Sequence, residues 1–346
     1  MKRLAIFVLV SSLVCIGLFA AGSAEKNKGS AAGSSEKAGS AKQPVTLKLA
    51  NYFADIHPQN IALKSKFIPM VESGTKGGVK VELYPNNQLG AEKEFIEGTK
   101  LGSIEMCISG IMLSEKYPVL KVAEFPYLFD SIDNGYKLLN EYMDEITADL
   151  LKGEGLRSLG ISVNGVRAIS NSKRPINTVE DCKGIKLRVP QVNQYVLMGK
   201  ALGFNVVTMA YSEIFTALQQ KVIDGQENPP TTVLASGWYE AQKYIALTDH
   251  CIAFNYVLIN DKFFQGLPVE YRDVIKAAVK AYTDEEVALY KAAAQKDIDT
   301  LKSKGIEFTK PDRKGFKDAV MTVYSDMLGP DPKVNAMAKK FIDLQK

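Results

Sequence analysis

Apolar and polar residues alternate with period two along Val45-Thr46-Leu47-Lys48-Leu49 and again along Val79-Lys80-Val81-Glu82-Leu83-Tyr84. That spacing predicts strands with one buried face. A helical pattern lies between them at 60–73. Asn86-Asn87-Gln88-Leu89-Gly90 then reads as a turn, 91–101 as a helix, and Ile104 to Ser109 as a further strand. Strand and helix alternating at these intervals predict an α/β fold with parallel pairing. The pattern continues with strands at 156–163, 185–189 and 252–259. Thr178 and Asp181 have the spacing of a capping box, with Asp in place of Glu, closed by Gly184. Ser212 is a candidate N-cap for a helix over 213–221. After Pro268, a good helix opener, no Gly or Pro occurs until Gly305, and Val287, Tyr290, Ala294, Ile298 and Leu301 form one apolar stripe. A single helix over this stretch would be about 50 Å long, enough to span two small domains. The alternative is two helices broken near Thr283-Asp284.

The 346 residues suit about two domains. With 46% hydrophobic and 24% charged residues, the chain resembles an ordinary soluble core-forming protein. The net charge of +4 includes Lys2 and Arg3 at the extreme N-terminus and is no footprint for nucleic-acid binding. His57 and His250 are the only histidines, which argues against His-rich metal sites and leaves little for a triad. Cys15, Cys107, Cys182 and Cys251 contain no CxxC pair, so they predict neither a zinc ribbon nor a disulfide framework.

Lys2-Arg3, an apolar run to Ala21 and the small residues through Ala24 form the pattern of a secretory signal over 1–24. An uncleaved anchor and a lipidated Cys15 are the alternatives, though Ser12 and Val14 fit a lipobox poorly. Residues 25–44 are nearly all small or polar, with no apolar face to bury, and predict a flexible tether. The reading is an exported, periplasmic or extracytoplasmic protein, membrane-tethered in the alternatives.

Enzyme motifs are missing: the sequence has no GxxxxGK[ST], HExxH or GxSxG. With two histidines, this argues against catalysis, and no catalytic residue, cofactor or metal is expected. Alternation over Ile185–Val189 puts Lys186 and Arg188 on the face opposite Ile185, Leu187 and Val189. On its own that is most often a solvated strand face. The functional alternative is an arginine holding a carboxylate by a charge-assisted pair. Asn164-Gly165-Val166-Arg167 offers a second cation after a strand, and Asn228 has an amide beside the stiff Pro229-Pro230 pair. Tyr211 suits either a core or a pocket wall.

Taken together, several short motifs resemble the extracytoplasmic solute-binding proteins of TRAP transporters, the DctP-type family. They are Asn164-Gly165-Val166-Arg167, Arg174-Pro175-Ile176 and the run Glu180 to Pro190. They continue through Met209-Ala210-Tyr211-Ser212-Glu213, Asp224-Gly225-Gln226-Glu227-Asn228-Pro229 and Tyr239-Glu240-Ala241-Gln242-Lys243-Tyr244. Leu83-Tyr84-Pro85, Gln88-Leu89-Gly90 and Phe125-Pro126-Tyr127 match upstream. The resemblance runs from Val45 nearly to the end of the chain.

It implies a two-lobed, periplasmic-binding-protein-like α/β fold with a long helix across both lobes. Lobe I would comprise 45–165 plus 254–293, and lobe II 166–253 plus 294–346. It further implies Arg188 as the carboxylate anchor, supported by Asn228, with Arg167 as a second arginine and Tyr211 lining the pocket. Glu92 takes a position where some members place an acidic contact, suited to ligand hydroxyls. Asn51 is a candidate contact with Tyr52 and His57, and Ser109 with Gly110. The implied ligand is a small organic acid, with a sugar acid (uronate or hexonate) favoured and a C4-dicarboxylate or other carboxylate as the alternative. The implied partners are the membrane subunits of a TRAP permease. A ligand-presenting sensor and a secreted hydrolase are the competing functions.

Overall fold

The computed structural model describes residues 43–346. The leader and the tether fall outside the described residues, save Gln43 and Pro44. Among the described residues eleven strands form two sheets. The first contains β1 (Val45–Ala50), β2 (Val79–Tyr84), β3 (Met106–Ser109), β4 (Leu156–Val166) and β10 (Ile252–Asn260), in the order β2-β1-β3-β10-β4. β1 is parallel to β2 and β3, as the alternation predicts, whereas β10 runs antiparallel to β3 and β4. All nine residues of β10 are buried, because it lies inside its sheet with both faces covered. The second sheet contains β5 (Ala168–Asn171), β6 (Lys186–Val189), β7 (Asn205–Thr208), β8 (Gly225–Asn228), β9 (Tyr244–Ala246) and β11 (Glu307–Thr309), in the order β11-β9-β5-β8-β6-β7.

The chain passes from the first sheet to the second at Arg167, between β4 and β5, and returns over 247–251 into β10. At the first crossing Gly165 has φ 128°, and a Cβ there would lie 2.3 Å from the Tyr290 hydroxyl. Only glycine lets the strand bend that close to the long helix, and the same hydroxyl accepts from Val166 N at 2.8 Å.

Val269–Ser303 is one unbroken helix of 35 residues, so the break near Thr283 does not occur. Thr283 is held within it: its Oγ1 donates to Lys280 O at 3.1 Å and pairs with the Tyr136 hydroxyl at 2.7 Å. The helix packs on Pro58–Gly74 and β4 of the first lobe, and on Pro230–Ala235 of the second. Within Pro58–Gly74 a wider turn over Leu63–Phe67 precedes Pro69, whose missing N–H has no place in a regular ladder.

The structure corrects two local expectations. Ser212 does not cap its helix: Glu213 accepts from Ala210 N at 2.8 Å, and the segment is a 3-10 turn followed by Ile214–Gln219. The expected assignment of 294–346 to lobe II departs from the structure at its end. The last helix, Pro332–Leu344, packs on the first lobe, where Phe341 lies 5.7 Å from Phe129 and 5.9 Å from Tyr142, ring to ring. The helix buries Val334, Met337, Ala338 and Phe341 in the same core cluster as Val119, Leu120, Phe129 and Leu138. Half of the expected capping box at Thr178 forms: Asp181 Oδ2 accepts from Asn177 N and Thr178 N at 2.9 Å each, whereas Asp181 N donates to the Thr178 carbonyl and not to its hydroxyl.

Candidate functional site

A cavity of about 60 Å³ lies between the lobes, with walls from both. On β6, Leu187 and Val189 enter the core while Lys186 stays exposed, as alternation predicts. Arg188, on the Lys186 face, is only 3% exposed because the other lobe closes over that end of the strand. Its Nε and one terminal nitrogen donate to Met209 O at 3.0 and 2.7 Å. That carbonyl aims the guanidinium into the cavity. No carboxylate forms an ion pair with Arg188 among the described residues. Burial, with Arg167 nearby, lowers its pKa to about 10, and the nearby Glu227 opposes that shift.

Arg167 is also buried, but its charge is matched. Its Nε donates to Glu227 Oε2 at 2.5 Å and a terminal nitrogen to Glu227 Oε1 at 2.8 Å and to Glu227 O at 2.7 Å. Its guanidinium lies over the Tyr195 ring, 5.1 Å from the centroid. The same carboxylate takes His250 Nε2 at 3.2 Å, and His250 Nδ1 meets Thr248 Oγ1 at 2.8 Å. Burial works to raise the Glu227 carboxyl, yet Arg167 and His250 outweigh it and hold it below its ordinary range. Glu227 was passed over in the sequence because its partner is fixed by the antiparallel pairing of β5 with β8, which no local spacing encodes.

Asn228, at the end of β8, lines the cavity, and its Nδ2 donates to Gln226 Oε1 at 2.6 Å. One amide hydrogen is therefore committed and the other is available to a ligand. Gln226 in turn donates to Ser170 Oγ at 2.8 Å, so the amide stands on a hydrogen-bonded chain. Tyr211 lines the cavity with its hydroxyl 2.8 Å from Ser236 Oγ, and its ring is 4.8 Å from that of Tyr52 in the opposite lobe.

The facing wall carries carboxyls. Glu92 opens the helix Glu92–Leu101, and its Oε1 accepts from Ser109 Oγ at 2.9 Å and Gly110 N at 2.8 Å. Burial lifts its pKa to about 7 despite those hydrogen bonds. Ser109 thus stands behind Glu92 and orients it, outside the cavity lining itself. Asn51 also lies outside the lining: its Nδ2 donates to Asn60 Oδ1 at 2.8 Å, in the helix that opens at Pro58, and its Oδ1 accepts from Phe53 N at 2.9 Å in the loop after β1. The neighbouring Tyr52 is the lining residue, its hydroxyl bonded to Asn255 Oδ1 at 2.6 Å. His57 caps the helix at Pro58 and stacks on Phe53 with ring centroids 4.2 Å apart. Burial lowers its pKa to about 3, so it is neutral.

Asn164 and Glu124, neither of them marked as a contact by any local motif, also line the cavity. Asn164 is buried with its Oδ1 unpartnered. Glu124 is 4% exposed and lies in an apolar run between Ala123 and Phe125. The visible signal for it was a lone charge among residues that must be buried. Among the described residues no group of three or more His, Cys, Asp or Glu could hold a metal, and no helix is long and apolar enough to cross a membrane. Cys107, Cys182 and Cys251 are buried thiols.

A cavity with a buried, unpaired guanidinium at Arg188 and hydrogen-bonding walls can hold an anion. Comparison with known proteins agrees. Residues 49–330 match the family model of the bacterial extracellular solute-binding proteins, family 7. The 2,3-diketo-L-gulonate-binding periplasmic protein YiaO of Escherichia coli K12 is 32% identical over 82% of this chain and 87% of its own. A TRAP periplasmic solute-binding protein of Haemophilus influenzae, solved with L-gulonate bound, superposes with a TM-score of 0.82 at 33% identity, over 86% of this chain and 99% of that one. A TRAP periplasmic solute-binding protein of Roseobacter denitrificans with bound L-galactonate gives a TM-score of 0.80 at 28% identity, over the same shares of the two chains.

Proposed function

This chain belongs to the bacterial extracellular solute-binding proteins, family 7, and from that premise we propose that it is the extracytoplasmic receptor of a TRAP transporter for a monocarboxylic sugar acid, a hexonate or a uronate. The observation that carries the ligand class is Arg188, a buried guanidinium aimed into the cavity with no counter-ion of its own. A ligand carboxylate docked there regains the charge-assisted hydrogen bonds that burial took from the arginine. Arg167 supports the site without competing for the ligand, because Glu227 already neutralises it. Asn228 offers its remaining amide hydrogen to the same carboxylate. Tyr211 and Tyr52 wall the sugar chain.

The facing wall favours hydroxyls over a second carboxylate. The exposed Lys93 lines the same wall, but among the described residues no cation pairs with Glu92 or Glu124, so a C4-dicarboxylate would set its far end beside two carboxyls. A hydroxyl finds acceptors there, and in Asn164 Oδ1. Ligand bound to the Arg188 wall recruits the Glu92 wall, closing the lobes and excluding water, which strengthens the ion pair. Ligand favours closure only by binding the closed form better. The loaded receptor then passes its cargo to the membrane subunits of the permease, and the export leader places it on their outer side. The family is one of receptors, and the mechanism needs no bond chemistry.

The test is thermal unfolding of the mature protein with L-gulonate, D-galactonate, D-glucuronate, D-galacturonate, succinate, malate and glucose. A ligand specific for the folded state raises the midpoint by mass action. We expect a rise with sugar acids that disappears in Arg188→Ala. A rise with succinate or malate alone would transfer the receptor to dicarboxylates, and a rise with glucose alone would refute the arginine anchor.

A further inference from the structure

Glu124 is a carboxyl that the chain buries at a cost. It ends the 3-10 stretch Pro118–Glu124, whose Val119, Leu120, Val122 and Ala123 are all core residues. Its partners reach it from the opposite lobe. Tyr195 donates its hydroxyl to Glu124 Oε2 at 2.6 Å, and Gln194 Nε2 donates to the Glu124 carbonyl at 2.8 Å. The same Tyr195 ring lies under the Arg167 guanidinium. The other carboxyl oxygen, Oε1, makes no hydrogen bond among the described residues, and Glu124 lines the cavity.

Gly110 accounts for the room. A Cβ at this position would lie 2.8 Å from Glu124 Oε1. Gly110 is absent from the glycines with positive φ, so its backbone does not require glycine. What the missing side chain provides is the space into which the Glu124 carboxyl projects.

We propose that Glu124 is a specificity-determining residue: its Oε1 reads a hydroxyl at the end of the ligand remote from Arg188, and its bonds to Tyr195 and Gln194 tie that contact to lobe closure. The inference rests on the sugar-acid reading above. With Oε2 accepting from Tyr195, the proton of the neutral acid sits on Oε1 and donates to a hydroxyl oxygen; the ionised acid accepts from the same hydroxyl. Burial favours the neutral form, against Arg167 and the Tyr195 hydrogen bond. Recognition and closure share one side chain, so a ligand lacking that hydroxyl also closes the lobes less well.

The experiment is a cycle between protein variants and ligand analogues, read by titration calorimetry. The probes are the hexonate or uronate that the wild-type protein binds most tightly, and its monodeoxy analogues. Wild type loses about tenfold in affinity when one particular hydroxyl remote from the carboxylate is removed. Glu124→Ala binds the parent about tenfold more weakly but does not distinguish it from that analogue. Gly110→Ala shows the same loss of discrimination, because its methyl displaces the carboxyl. Glu124→Gln, which keeps an acceptor for Tyr195 and a donor toward the cavity, restores the discrimination. Tyr195→Phe lowers affinity for parent and analogues alike. Losses that simply add at every deoxy position in Glu124→Ala would overturn the contact, as would a Gly110→Ala protein that still discriminates. Unfolding midpoints of the unligated variants separate misfolding from lost contact. If no hexonate or uronate binds wild type, the proposed function itself fails. If Arg188→Ala abolishes binding while Glu124→Ala changes nothing, that function stands and this inference falls.

Discussion

The two walls of the cleft bury charge in opposite ways. The wall built on the second sheet holds two arginines, one bound through two nitrogens to Glu227 and the other bonded only to a carbonyl. The wall built on the first lobe holds two carboxyls, Glu92 and Glu124, each with one oxygen held by neutral donors. Of the two buried arginines, only Arg188 lacks a counter-ion among the described residues. Bringing the walls together desolvates a cation that has no partner, and only a ligand carrying its own carboxylate removes that penalty.

The largest effects should separate the two arginines. Arg167→Ala leaves Glu227 buried beside His250 alone and should lower unligated stability by about 3–5 kcal/mol in denaturant unfolding. Arg188→Ala should leave unligated stability unchanged or higher, since it removes an unmatched buried charge, while carboxylate affinity falls by about 100-fold or more in calorimetry. Equal destabilisation by both substitutions would break the comparison.

The carboxyl wall should appear in the pH dependence. Burial pushes the Glu92 carboxyl up to about 7 from an ordinary 4.5. Between those values the folded state holds the extra proton, so this group's contribution to stability falls as pH rises from 4.5 toward 7. Over the upper part of that range ionisation also weakens anion binding, with Glu124 and Arg188 the charged groups nearest in effect. Glu92→Gln should flatten both slopes; slopes that survive would place the titration elsewhere. Glu227 acts with the opposite sign: held low, it contributes stability above the ordinary carboxyl range and loses it as pH falls through its folded value. The smallest effect belongs to Tyr211→Phe. It deletes the bond to Ser236 but keeps the ring against Tyr52, and should change affinity by no more than about threefold, around the net worth of one hydrogen bond.

Much of the architecture is legible in local pattern. Alternation at 45–49 and 79–84 predicts parallel neighbours, and the structure pairs Val45 with Val79 and Leu49 with Leu83. The stretch from Pro268 to Gly305 reads as one helix because nothing in it stops a helix. The antiparallel course of β10 was not legible, since an apolar run says that a strand is buried and not which way it points. The C-terminal helix was misplaced for a related reason: its apolar face is visible in sequence, but the surface that covers it, around Phe129 and Tyr142, lies about two hundred residues upstream.

The site divides along the same line. The strand register that turns Arg188 away from the core, the helix start that carries Glu92 and the amide at Asn228 were legible in the sequence, because each depends on neighbours within a few residues. Only the tertiary structure decided that Arg167 is matched and Arg188 is not, that Asn51 serves its own loop while Tyr52 faces the cavity, and that Glu124 meets Tyr195 across 71 residues of chain. Charge matching in a buried cleft is set by which strands pair and how two lobes meet, and those contacts follow from packing of the whole chain rather than from any local periodicity.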